Sequence, residues 1–73
     1  MSTLRTLRHE LLGAAVSANF SDAPRSLKDE LVIALGELAK AERDGENVAV
    51  VMNRARAALR AWGEWEAKAH DTA

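Results

Sequence analysis

Apolar residues return every three or four positions along almost the whole chain, and only Ser21-Asp22 with Pro24, and then Asp44-Gly45, interrupt them. That period fits helices and leaves no room for the two-residue alternation of strands. In the first segment Leu4, Leu7, Leu11, Ala14 and Ala18 follow a 3-4-3-4 spacing, the seam of a packed helix. Ser2 or Thr3 can cap its free N–H groups, and Pro24 forbids continuation. The second segment offers Ser26 as a cap, with Asp29 and Glu30 in the first turn where the helix dipole favours acids. Its stripe is Leu27, Leu31, Ala34, Leu35, Leu38 and Ala41, widened by Val32 and Ala39. Gly45 suits the left-handed position after a helix end, and Asn47 can cap the third segment. There Val48, Val51, Met52, Ala55, Leu59 and Trp62 form the stripe.

The expected fold is all-α in one domain over 1–73. It has a helix over about 3–20, another over about 26–43, a third over about 47–69, and a frayed tail over 70–73. The short link at Gly45 makes the last two an antiparallel helical hairpin. Leu4, Leu7, Leu11, Leu31, Leu35, Leu38, Val51, Met52, Leu59 and Trp62 are the residues expected to hold the helices together.

These helices carry more apolar surface than one stripe each requires. Leu12, Val16 and Phe20 form a second row on the first helix, and Ile33 falls opposite the stripe of the second beside Glu37 and Lys40. On the third, Val50, Ala58, Ala61 and Trp65 carry the apolar arc past half the circumference. Alanines tolerate exposure as helix fillers, but several large apolar side chains on shared faces mark an interface. Leu12, Val16, Phe20, Ile33, Val50 and Trp65 are therefore the expected protein-interface residues. At 73 residues, without cysteine, the chain sits near the lower size limit for a self-sufficient core, so completion as a helical-bundle homodimer is expected.

Chemistry is sparse by comparison. The carboxylate pairs Asp29-Glu30, Glu37 with Glu42, and Glu64-Glu66 lie on faces that read as solvated, and acid–base work needs a perturbing pocket. His9 and His70 are far apart, no Glu has a His three residues on, and Glu66 with His70 is a single weak pair. No cofactor, metal site or catalytic residue is expected. The net charge of −1 gives no general attraction to nucleic acid or anionic lipid. No apolar run approaches the roughly 18 residues of a membrane span. The N-terminus imitates a secretory signal through Arg5, Arg8 and the apolar run 11–16, but Glu10 interrupts it and the run is too short, so a cytoplasmic protein is expected. Ala, Arg and Val usage points to a bacterial or phage origin.

The function expected from these residues is non-enzymatic. A homodimeric adaptor or inhibitor would bind a larger protein partner and modulate it, by masking or recruitment. The rival is a small dimeric DNA-binding regulator, with Arg54, Arg56 and Arg60 of the third helix reaching phosphates or a major groove. Glu42, Asp44, Glu46, Glu64 and Glu66 surround those arginines and argue against it.

Overall fold

The computed structural model describes residues 3–71 as three helices, α1 (Leu4–Asn19), α2 (Arg25–Asp44) and α3 (Val48–Asp71). No strand occurs among the described residues. Of the expected frayed tail, His70 and Asp71 continue α3, while 72–73 lie outside the described residues, as does Ser2.

Helix α1 starts at a hydroxyl. Thr3 has extended backbone, and its Oγ1 accepts the N–H of Thr6 at 3.1 Å. That bond satisfies one of the donors every helix leaves free at its first turn. At the other end Ser21 organises the link to α2. Its Oγ donates to the Ala18 carbonyl at 2.8 Å and accepts from the Ala23 N–H at 3.1 Å, and Ala23 is buried.

The start of α2 corrects one expectation. The helix begins at Arg25, with Pro24 rather than Ser26 at the cap position and no side-chain cap bond. Proline has φ near the helical value and no N–H to leave unsatisfied, so a helix can begin directly after it. The Pro24 carbonyl accepts the N–H groups of Leu27 (3.1 Å) and Lys28 (3.2 Å). Ser26 thus lies inside the first turn, and Asp29 and Glu30 lie beyond it, too far along to gain from the dipole.

Gly45 closes α2 in the left-handed region at φ 71°, its N–H donating to the Ala41 carbonyl at 2.7 Å. Asn47 gives up its carbonyl to Val51 N–H at 3.0 Å and so stands at the head of α3. Its φ of 55° is left-handed rather than the extended backbone of a capping side chain, a region asparagine tolerates better than most residues.

Each helix packs on the other two around a single core. The largest fully buried side chains are Leu7, Leu11, Leu31 and Leu38. Half of the buried set is alanine: Ala14, Ala18, Ala23, Ala34, Ala41, Ala55 and Ala58. Small residues at the seams draw the helix axes together but bury little area each, so the core is thin. Leu4, Leu35, Val48, Met52, Leu59 and Trp65 pack around it partly buried. Val32 and Ala39, expected to widen the α2 stripe, are exposed. The bundle is elongated, with principal extents of 42 × 23 × 16 Å.

Candidate protein-binding surface

Two ion pairs between the described helices mark which flank of each helix faces which neighbour. Arg8 of α1 bonds Glu42 of α2 at 2.8 Å, and Arg54 of α3 bonds Glu37 of α2. Glu37 and Glu42, read from sequence as a carboxylate pair, therefore sit on opposite flanks of α2, each engaged by its own arginine. Both pairs are exposed, and such pairs contribute about 0.2–1 kcal/mol each.

Among the described residues six large apolar side chains remain in solvent: Leu12 (50% exposed), Val16 (51%), Phe20 (85%), Val32 (60%), Ile33 (61%) and Val50 (56%). At about 100° per residue, Leu12, Val16 and Phe20 lie on the side of α1 turned away from the buried Leu7, Leu11, Ala14 and Ala18. They stand about one turn apart and make a continuous ridge, which ends at Phe20, the residue that follows the last turn of α1. Ile33 and Val50 lie elsewhere, on the α2–α3 side. Ile33 lines a shallow groove of about 340 Å³ with Glu30, Ala34, Glu37, Arg54, Ala57 and Ala58. Val50 is not part of that groove.

Trp65 is placed differently from the other five interface candidates. It is half-buried against the core, with its ring stacked on Trp62 at 5.4 Å between centroids and 16° between planes. Trp62 itself is buried. Periodicity missed Val32 as a surface residue, although its spacing held the signal. It falls closer to Asp29, Gly36 and Arg43 around the helix than to the centre of the leucine stripe.

The structure does not assemble Arg54, Arg56 and Arg60 into one patch. Arg54 reaches to Glu37 on α2, and Arg56 donates to Asn53 Oδ1 on its own helix at 3.2 Å. Arg56 and Arg60 share a face about 40° wide, and Arg54 lies more than 100° around the helix from both.

Among the described residues no polar or charged side chain is buried, and no three His, Asp or Glu groups converge as a metal site. No helix among them is long and apolar enough to cross a membrane. The arrangement offers apolar contact area rather than a pocket of desolvated groups. No protein-family model matches the chain, and neither comparison with curated proteins nor comparison with solved structures finds a match.

Proposed function

We propose that this chain is a small, non-enzymatic protein-binding module that acts as a homodimer and modulates a larger protein by covering part of its surface. The observation that supports it is the ridge of Leu12, Val16 and Phe20, half or more exposed along a face of α1 that no other helix covers. A ridge with four-residue spacing is the geometry that packs into the grooves of a partner helix. Exposed aromatic and aliphatic residues clustered on one face are characteristic of protein contacts. The rest of the surface carries charges of both signs and a net charge of −1, which keeps the apolar ridge distinct.

The test pairs folding with binding. Phe20→Ser combined with Val16→Ser should leave helix content and melting temperature near the parent, because neither residue contributes to the core. The same variant should lose the partner that the parent retains in cross-linking and affinity capture from its source cells. A partner retained at parental affinity would overturn the ridge as the binding surface. Tight binding of duplex DNA, falling steeply with salt as counterions are released, would overturn the module itself in favour of a DNA-binding regulator.

A further inference from the structure

We propose that two copies of this chain pair along the outward face of α2, antiparallel and crossing at Gly36. This rests on the homodimer reading above and assigns its surface. Around α2, the face opposite the buried Leu27, Leu31, Ala34, Leu38 and Ala41 presents Asp29, Val32, Gly36, Lys40 and Arg43, with Arg25 one turn before Asp29 at the helix start. The five from Asp29 to Arg43 are exposed, and their 3-4-4-3 spacing reads the same in both directions from Gly36.

An antiparallel copy related by a two-fold axis at Gly36 sets residues equally far from the centre against one another. Asp29 then meets Arg43 of the second copy about 10 Å from the crossing, and symmetry repeats the pair on the other side. Lys40 of the second copy flanks the same carboxylate, so each Asp29 faces two cations. A parallel pairing would instead oppose Asp29 with Asp29 and Arg43 with Arg43, so the charge pattern selects the antiparallel one.

The apolar positions fit the same register. Val32 comes beside Ala39 of the second copy, and Ile33 lies along the methylene stem of its Lys40, leaving the ammonium in water. Gly36 at the crossing lets the two backbones approach. Within one protomer nothing lies within 4 Å of the position its Cβ would take, so the glycine satisfies no packing need there. The Arg43–Asp44 contact inside the protomer is long, 3.6 Å, and its arginine is exposed, so it can be exchanged for the intermolecular pair. The pairing covers Val32 and Ile33 and leaves Leu12, Val16 and Phe20 open for the external partner.

Charge reversal with rescue tests it. By sedimentation equilibrium on the full chain, Asp29→Arg should weaken dimerisation about tenfold or more, and Arg43→Asp likewise, since each sets like charges opposite one another. The double variant should return the dissociation constant to near the parental value. Such rescue cannot arise within one chain, because the two positions are about 21 Å apart along α2. The chain has no cysteine, so Gly36→Cys should oxidise to a covalent dimer, whereas Val16→Cys should not.

A dimer indifferent to both reversals, or one broken instead by Val16→Ser and Phe20→Ser, would overturn the α2 surface and leave the homodimer reading standing. A parent chain that stays monomeric at every concentration would overturn the homodimer and this surface together. Circular dichroism of each variant identifies any that fails to fold. Gly36→Cys, which adds a side chain to open space, then carries the test for that case.

Discussion

Thr3 and Pro24 both sit at the head of a helix and do different work there. Thr3 supplies an acceptor for the Thr6 N–H, so Thr3→Ala should destabilise the protein by about 1 kcal/mol. In a domain this small that lowers the melting temperature by roughly 4–8 °C, readable by circular dichroism. An unchanged melting temperature would show that the cap contributes nothing to the bundle. Pro24 supplies only a preset backbone angle and a carbonyl, which accepts two N–H groups. The Ser26 cap is attractive from sequence because the serine and the acids three and four positions on form the right spacing. It loses because Pro24 can start the helix two residues earlier, and residue spacing does not register that option.

At the scale of the elements, stripe width is what the structure redraws. Leu7, Leu11, Leu31 and Leu38 are buried where 3-4 spacing places them, since a helix presents one face to its neighbours whatever the partner. The margins of each stripe depend on how close the neighbouring helices come. Ala58, indifferent to exposure by its chemistry, is buried, whereas Val32 at the margin of α2 is exposed. The glycines mark another difference between elements. Gly45 needs its left-handed backbone to end α2, while Gly63 lies within α3 with nothing near the site of a Cβ. Gly63→Ala should therefore stabilise the chain by about 0.4–1 kcal/mol through the unfolded-state entropy it removes. Chemical denaturation would measure this as a higher midpoint with an unchanged slope. A lower midpoint would mean that this face of α3 is occupied in solution.

The molecule as a whole has a narrow core and a long outline. Four fully buried leucines and many alanines leave little redundancy, so a single large-to-small change is felt throughout. Leu31→Ala should cost about 2–5 kcal/mol, a large part of the stability available to a small domain. Its thermal transition should broaden and fall towards ambient temperature, and an ordinary sharp transition near the parental one would contradict this thin-core view. Trp62 and Trp65 add a stacked pair towards the end of α3, worth about 0.5–1.5 kcal/mol beyond the area they bury. That stack also explains why Trp65 is half-buried, when the width of the apolar arc alone pointed outward.

From sequence alone come the three helices, the glycine-ended hairpin and the leucines of the core. Each rests on local physics: helical period, a left-handed terminus, and a residue that cannot continue a helix. The ridge of Leu12, Val16 and Phe20 is equally visible, because one helix cannot turn two such rows into the same core. The tertiary structure alone decides which marginal residues are covered, and for a packing reason. The buried seams fix how the helices are rotated against one another, and Arg8–Glu42 and Arg54–Glu37, joining positions 34 and 17 residues apart, follow from that rotation. That rotation leaves Val32 exposed, covers Ala58 and sets Trp65 at the edge of the core. Periodicity describes one helix at a time, whereas burial at the edge of a stripe depends on the approach of another.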